Sequence, residues 1–244
     1  MSKPRAPLPR NARRRAVAEL ERRKRQAAIQ RNIIISLSLL VTTAVVIGIV
    51  VVVGGAIRDR QAAEAGPAEL VRPNSVYLNR PPEAKVTVVE FLDFECEACG
   101  ALYPTMEQAR QTYGDRVNFV ARYFPVPSHF NAMRAARAVE AAGQQGKWEQ
   151  MYQKMYQTQT EWAEQQVPAD DTFRGFARDL GLDMAAWEAA YNDPATEQRI
   201  AADAADGEAL GVQGTPTIFI DGRQVELQSF AELPAAIDRA LAAA

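Results

Sequence analysis

The chain has 244 residues, of which 48% are hydrophobic and 24% charged, a composition that excludes a wholly disordered protein. Residues 1–31 hold 11 Lys/Arg and 2 Asp/Glu, a net charge of +9, whereas residues 32–244 hold 17 Lys/Arg and 28 Asp/Glu, a net charge of −11. The acidic body argues against nucleic acid as the main partner, and two cysteines with one histidine exclude both a disulfide framework and a self-contained structural zinc site.

An uncharged segment follows the basic arm. Residues 32–57 contain no charged side chain. Their apolar centre, 33–53, would span roughly 31 Å as a helix at about 1.5 Å per residue, which matches the roughly 30 Å hydrocarbon core of a bilayer. We therefore predict a basic cytoplasmic arm over 1–31 and a transmembrane helix over 32–57, with the rest of the chain outside the cytoplasm. A cleaved signal peptide and a buried core helix are the alternatives, although a signal peptide usually has a shorter apolar region.

The remaining chain divides into a linker and one folded domain. Residues 58–83 are rich in alanine and proline and are predicted to be a linker, in which 76–78 could add an edge strand. The domain is predicted to cover residues 84–244, with a helical insertion at about 127–210, and no repeat is visible. In chain order its predicted elements are a buried strand over 85–94, a helix over 97–112, a strand over 116–124, the helical block, strands over 217–220 and 224–227 joined by Asp221-Gly222, and a helix over 230–243.

A pair of cysteines lies where the first strand gives way to the first helix. Cys96 and Cys99 are separated by two residues, so they can close a small disulfide ring. At the helix N-terminus, free N–H groups and the helix dipole favour a thiolate, so Cys96 would attack and Cys99 would resolve the mixed disulfide. Half of a metal site shared by a dimer and an inert structural pair are the alternatives, but no metal is predicted.

Three further features are spaced around the cysteines. Glu90 lies on the predicted buried strand, where burial would raise its pKa and let it exchange a proton with Cys99; alternatively it is a solvated edge residue. Pro104 would kink the first helix or separate two helices. Pro216, before the third strand, is either a boundary residue or a cis proline facing the cysteines. His129, the only histidine, is interpreted as a residue preceding a helix, with Ser128 as a possible cap.

Together these residues resemble the thioredoxin superfamily, and the long helical block resembles its DsbA-like branch. The resemblance rests on Glu90, the Cys96–Cys99 pair, Pro104 and the Thr215-Pro216-Thr217 loop, and covers roughly residues 84–244. It implies an α/β thioredoxin-like fold with an inserted helical domain and a cis proline at 216. It also implies that Thr215 and Pro216 bind an extended substrate chain, that no bound cofactor is needed, and that a membrane redox partner, of a quinone-linked kind, resets the cysteines.

The sequence departs from that branch between the cysteines. The dipeptide is Glu97-Ala98, neither the Pro-His of DsbA nor the Gly-Pro of thioredoxin, and three carboxylates, Asp93, Glu95 and Glu97, surround Cys96. If they are exposed, each acts at the level of about 0.2–1 kcal/mol against a helix N-terminus of similar strength. We therefore expect a less strongly lowered Cys96 pKa than in DsbA, and the sequence leaves the direction of electron flow open.

The sequence as a whole predicts a membrane-anchored, extracytoplasmic thiol–disulfide oxidoreductase that exchanges disulfides with protein substrates through Cys96 and Cys99. Its partners would be protein thiols or disulfides, the lipid bilayer and a membrane redox protein. The competing hypothesis is a redox-silent binding module of the same fold, in which the disulfide is structural.

Overall fold

The computed structural model describes residues 68–244 and, before them, only Leu40, Thr43 and residues 45–49, which are helical. The chain divides into two units, Met1–Glu64 and Ala65–Ala244. No helix within the described part of the chain is long and apolar enough to span a bilayer. The basic arm and most of the predicted span over 32–57 lie outside the described residues, so the membrane helix stays a prediction.

A five-stranded mixed sheet forms the centre of the second unit. Its strands are β1 (Val76–Asn79), β2 (Val86–Leu92), β3 (Val117–Tyr123), β4 (Thr217–Ile220) and β5 (Arg223–Val225), in the spatial order β1-β3-β2-β4-β5. Strand β2 pairs in parallel with β3 and antiparallel with β4, so the strand that precedes the cysteines is central. The predicted hairpin is confirmed: Asp221 and Gly222 both have positive φ, 46° and 80°, as a tight two-residue turn requires.

Among residues 68–244, helices occur after β2, between β3 and β4, and after β5. Helix α1 (Glu97–Tyr113) joins β2 to β3. The predicted helical block lies between β3 and β4 and contains α2 (Ala132–Gly143), α3 (Trp148–Gln157), α4 (Gln159–Trp162), α5 (Asp170–Asp179), α6 (Met184–Asn192) and α7 (Pro194–Ala209). A 3-10 turn (Phe230–Glu232) and α8 (Leu233–Ala243) close the chain. Helix α1 runs without a break through Pro104, so the alternative of two separate helices at that proline is wrong.

The two faces of the sheet pack against different helices. Val86 and Val88 belong to a buried cluster with residues of α1 and α8, whereas Val89 and Phe91 pack on the opposite face. A third cluster fills the helical block and reaches the cysteines through Phe94. The alternation of β2 side chains therefore assigns each position of the strand to a face.

The folded unit begins earlier than the predicted boundary at residue 84. Strand β1 pairs antiparallel with the outer side of β3, so part of the predicted linker over 58–83 belongs to the sheet. Arg122 of β3 is fully buried, and its Nη1 donates to the carbonyls of Glu69 and Leu70 at 2.9 and 2.7 Å. The outer edge of β3 needs backbone partners, and the buried guanidinium needs acceptors. The preceding segment satisfies both, so it folds with the domain.

Candidate active site

The two cysteines occupy different environments at the start of α1. Cys96 is the N-cap residue, with extended backbone (φ −68°, ψ 119°), and Cys99 lies one turn into the helix. Both are free thiols, and the side chain of Cys99 is the more deeply buried, with Cys96 8% and Cys99 1% exposed. Cys96 is therefore the more accessible of the two sulfurs, and its role as the attacking thiol stays a prediction.

The surroundings of Cys96 favour its thiolate. A hydrogen bond from the Cys99 side chain is the largest influence, and together with the Thr215 side chain and the amides of Cys99 and Ala98 it outweighs partial burial and lowers the Cys96 pKa to about 5. The amides are the free donors of the helix N-terminus. The Cys96 pKa is thus less strongly lowered than the roughly 3.5 of DsbA, as expected, but the premise that three exposed carboxylates are the cause is wrong.

The premise fails because two of the three nearby carboxylates are buried and already bonded. The Asp93 side chain accepts from the amides of Glu95 and Val126, both at 2.9 Å. The Glu95 side chain accepts from the amide of Asn131 and, at 3.2 Å, from that of Glu164. Only Glu97 is exposed. Carboxylates that are held by backbone donors shape the loop and do not act as three free charges around the sulfur.

The loop before β4 faces Cys96. The Thr215–Pro216 peptide bond is cis, as the resemblance implies, and the Cys96 Sγ donates to the Thr215 carbonyl at 3.3 Å. The buried Thr215 hydroxyl has no conventional partner among the described residues. It acts instead on the thiolate, whose pKa it lowers. Thr215 therefore offers the sulfur an acceptor when Cys96 is a thiol and a donor when Cys96 is a thiolate.

Glu90 lies beneath the cysteines on the central strand. It has the same parity as Val86 and Val88, so its side chain faces the α1 side of the sheet, and it is buried. Burial, followed by the charges of Glu107 and Cys96, raises its pKa to about 8. Burial, the hydrogen bond to Cys96 and the charge of Glu90 raise the pKa of Cys99 well above its ordinary value. The solvated edge position considered for Glu90 is therefore excluded by the structure.

A polar cleft adjoins the cis-proline loop. It has a volume of about 370 Å³ and is lined by Gly211, Gln213, Gly214, Thr215, Pro216, Thr217 and Gln224. Thr215 and Pro216, the two predicted substrate-binding residues, thus contribute to one wall of a cleft beside the reactive sulfur. Within the described residues no group of three or more His, Cys, Asp or Glu side chains is placed to hold a metal ion.

The sequence interpretation missed His129 and Gln159. His129 Nδ1 lies 2.7 Å from Asp93 Oδ2, and the N-cap of the following helix is Asn131, so the suggested cap at Ser128 is wrong. A signal for the first contact was present: β2 and β3 are parallel, so the loops after them meet at one edge of the sheet. Gln159 Nε2 donates to the carbonyls of Phe94 and Cys96 at 2.8 and 2.9 Å, and no sequence pattern marks it.

Comparison with known proteins agrees with this geometry. A family model described as Thioredoxin matches residues 81–239. A thioredoxin-like oxidoreductase from Silicibacter pomeroyi DSS-3 is 30% identical, with a TM-score of 0.59 over 72% of this chain and 96% of that one. The oxidoreductase DsbA from Xylella fastidiosa, 24% identical, shares the fold, with a TM-score of 0.55 over 72% of this chain and 97% of that one.

Two curated relatives have a different kind of name. The Na(+)/H(+) antiporter NhaA of Herminiimonas arsenicoxydans is 32% identical over 155 residues, which are 64% of this chain and 24% of that protein. The Na(+)/H(+) antiporter NhaA 1 of Salinispora arenicola (strain CNS-205) is 36% identical over 155 residues, 63% of this chain and 23% of that protein. This chain spans about a quarter of the length of these relatives. The family match covers every site residue from Glu90 to Pro216, and the chain belongs to the thioredoxin family.

Proposed function

We propose that this protein is a membrane-anchored, extracytoplasmic thiol–disulfide oxidoreductase that donates disulfides to protein substrates through Cys96 and Cys99. The observation that carries the proposal is the contrast between the two sulfurs. Cys96 has a pKa lowered to about 5 by its hydrogen bonds, whereas burial raises that of Cys99 well above its ordinary value. The thioredoxin-like fold supports disulfide exchange in general, and this contrast supports a direction.

The direction follows from leaving-group chemistry. A lower thiol pKa stabilises the reduced form and makes the sulfur a better leaving group, which favours transfer of the disulfide away from the enzyme. Reactive cysteines in proteins have pKa values of about 3.5–7.5, and the strongly oxidising ones lie at the lower end. A value of about 5 supports a donor of disulfides over a reductase.

The proposed reaction has two exchange steps. A substrate thiolate attacks Cys96 Sγ in the oxidised enzyme, the Cys96–Cys99 bond breaks, and Cys99 leaves as a thiolate that takes a proton. A second substrate thiolate then attacks the substrate sulfur of the mixed disulfide, and Cys96 leaves as a thiolate. The substrate loses two electrons and gains one disulfide, and the enzyme gains both electrons as a dithiol.

Glu90 would supply the proton in the first step. Its pKa of about 8 keeps the carboxyl largely protonated at neutral pH, and it is close enough to Cys99 for its charge to raise the pKa of that thiol. A general acid works best when its pKa lies near the working pH. The proton can therefore pass to the Cys99 thiolate as it forms and return when Cys99 is reoxidised.

The substrate would bind as an extended chain beside the cis-proline loop. The cleft is lined by Thr215 and Pro216 together with glycine and uncharged polar residues, and the Thr215 carbonyl accepts from the Cys96 Sγ. Such a wall would accept varied sequences, since backbone groups rather than side chains would be recognised. No bound cofactor is required, and a membrane redox partner would reoxidise the dithiol after each cycle.

Two measurements on the full-length chain test this function. The redox potential of the Cys96–Cys99 pair, measured in glutathione buffers, should fall at roughly −120 to −180 mV, as for disulfide donors. A value of about −270 mV would indicate a reductase instead, and a pair still oxidised below about −300 mV would support the structural disulfide of a binding module.

The second measurement is transfer of the disulfide to a peptide that contains two thiols. The oxidised wild-type chain should convert the peptide to its disulfide, and Cys96→Ser should abolish transfer. Cys99→Ser should also abolish transfer, because Cys96 then has no partner with which to hold the disulfide that the enzyme would donate. Transfer that is unchanged in Cys96→Ser would contradict the proposed role of this sulfur.

A further inference from the structure

The Asp93–His129 pair has a geometry that the exchange mechanism does not use. The Asp93 side chain is fully buried, and His129 Nδ1 lies 2.7 Å from its Oδ2. Both carboxylate oxygens already accept hydrogen bonds from backbone amides, those of Glu95 and Val126. Burial raises the pKa of the Asp93 carboxyl, whereas the two amide donors and the hydrogen bond and charge of His129 act in the opposite sense and favour the carboxylate. The imidazole is placed to donate its Nδ1 proton to that carboxylate at Oδ2.

The pair is joined directly to the reactive cysteine. The Asp93 carbonyl accepts from the Cys96 amide at 3.2 Å, so the residue that holds the histidine also closes the turn that presents the sulfur. Partial burial opposes a charge on His129, but the hydrogen bond and charge of Asp93, with the charges of Cys96 and Glu95, raise its pKa above the ordinary range. His129 thus responds to the charge on Cys96, and interaction between two sites is reciprocal.

The segment between the cysteines contains no positively charged side chain. Its two residues are Glu97 and Ala98, one acidic and one neutral. The groups that face the imidazole from the neighbouring segments are Asp93 and Glu95, which follow β2, and Cys96 at the start of α1. All three are anionic or form anions, and Glu95 is occupied by the amides of Asn131 and Glu164.

We propose that Asp93 holds His129 as an imidazolium beside Cys96, and that this charge stabilises the Cys96 thiolate and makes the pair a stronger disulfide donor. In this role His129 is a positioning residue, supplied by the loop after β3 rather than by the segment between the cysteines. The effect on disulfide donation rests on the proposed function. The stabilisation of the Cys96 thiolate by His129 does not, because it concerns the reduced protein alone.

The first experiment uses the single histidine of the chain as its own probe. The His129 ring resonances are followed by NMR against pH in the full-length chain, with Cys96 and Cys99 reduced and then oxidised. The His129 pKa should be higher in the reduced protein, because oxidation removes the thiolate charge. Cys96→Ser, which has no thiolate, should titrate like the oxidised form. Equal His129 pKa values in all three would overturn the proposal.

The second experiment removes the charge and keeps the donor. His129→Asn places an amide near the position of Nδ1, so it can still bond to Asp93 but carries no charge. The Cys96 pKa, read from the ultraviolet absorbance of the thiolate, should rise by about one unit, which at acid pH lowers the rate of alkylation about tenfold. The redox potential should become more negative in the same variant.

His129→Lys and Ser128→Ala provide the controls. A lysine restores a cation and should return the Cys96 pKa toward its wild-type value, whereas Ser128→Ala changes the neighbouring side chain and should leave it unaltered. A Cys96 pKa in His129→Asn equal to that of the wild type would overturn the proposal. These titrations need only free thiols, so they remain decisive if the protein transfers no disulfide, and transfer with an unchanged Cys96 pKa would refute this inference alone.

Discussion

At the scale of single residues, burial and the surrounding hydrogen-bond donors determine the role of each acidic side chain near the cysteines. Asp93 and Glu95 look like repelling charges in the sequence, but backbone amides hold both of them. Burial is the largest influence on both Asp93 and Glu90 and raises both pKa values, but hydrogen-bond donors oppose the rise only at Asp93. An acidic side chain therefore stabilises a loop in one place and holds a proton in another. The difference lies in the hydrogen-bond donors around it.

Glu90 should make the stability of the protein fall as pH rises. Its folded pKa of about 8 exceeds the ordinary value of 4.5, so the folded state binds the extra proton between these limits and loses that advantage through the folded pKa. At about 1.4 kcal/mol per pKa unit, the loss is on the order of a few kcal/mol. Urea unfolding of the reduced chain across this pH range should show a weaker decline in Glu90→Gln than in the wild type.

The exposed residue Glu83 supplies the matched control, and Glu83→Gln should decline with pH as the wild type does. If Glu90→Gln and the wild type lose the same free energy of unfolding between acid and alkaline pH, Glu90 is not the buried proton store that the structure indicates.

The Thr215 hydroxyl should contribute to the low Cys96 pKa independently of the histidine. Thr215→Val removes the hydroxyl at nearly constant shape, and since a hydrogen bond to a charged group is worth about 1.5–3 kcal/mol, the Cys96 pKa should rise by about one unit or more. Thr215→Ser keeps the hydroxyl and should stay near the wild type. Equal Cys96 pKa values in the valine and serine variants would show that the hydroxyl does not donate to the thiolate.

At the scale of elements, the parallel pairing of β2 and β3 builds the site. The residues after both strands lie at one edge of the sheet, which brings the Asp93 loop to His129. Helix α4 then closes the loop from the other side, because Gln159 binds the carbonyls that flank the first cysteine position. A Cβ at Gly100 would meet the end of the Gln159 side chain, so glycine leaves room for the amide in this position.

A second buried cluster connects elements away from the cysteines. Arg122 of β3 forms ion pairs with Asp203 at 2.8 Å and Asp206 at 2.6 Å on α7, and Asp206 also binds Arg72 before β1. The Arg122 Nε lies close to Asp203 without the alignment of a hydrogen bond, so charge rather than direction holds that contact. These ion pairs connect the segment before β1, the sheet and the helical block.

Breaking this cluster should cost far more than breaking a surface pair. Arg122→Met removes one of the two arginine partners of each buried carboxylate, since Arg72 still pairs with Asp206 and Arg199 with Asp203. The free energy of unfolding should fall by up to about 3–5 kcal/mol. Arg116, half exposed and 3.8 Å from Asp115, is the control: Arg116→Met should cost less than about 1 kcal/mol. Urea denaturation of the full-length chain measures both, and similar losses in the two variants would show that Arg122 does not hold the elements together.

At the scale of the whole molecule, the proposed anchor decides where the chemistry takes place. Residues 32–57 carry no charge and follow a basic arm, so the full-length chain should sediment with membranes and resist alkaline extraction. Deletion of 1–57 should release the remaining chain into the soluble fraction, since the remaining chain is acidic. A full-length product found in the soluble fraction and shortened near residue 65 would identify a cleaved signal peptide and contradict the anchor.

The order of the elements and the position of the cysteine pair between β2 and α1 could be predicted from the sequence alone. Periodic apolar residues, the Asp221-Gly222 turn and the spacing of Cys96 and Cys99 are local signals, so they predict strands, helices, hairpin and redox pair without reference to distant residues. The role of Glu90 followed from its place on the predicted buried strand, and the cis proline followed from resemblance to a family. The same local logic placed the domain boundary too late, because the pairing of β1 with β3 joins residues far apart in the chain.

The electrostatics of the site could not be predicted from the sequence, because they depend on contacts that form only in the tertiary structure. The Cys96 pKa depends on the Cys99 side chain, on the Thr215 side chain and on the amides at the start of α1, and Thr215 lies 119 positions away in sequence. The influence of a carboxylate on the pKa of a neighbouring thiol cannot be predicted until the solvation and the hydrogen-bond donors of that carboxylate are known. His129 and Gln159 were missed for the same reason, since each acts through a contact that exists only after β2, β3 and the helical block have packed.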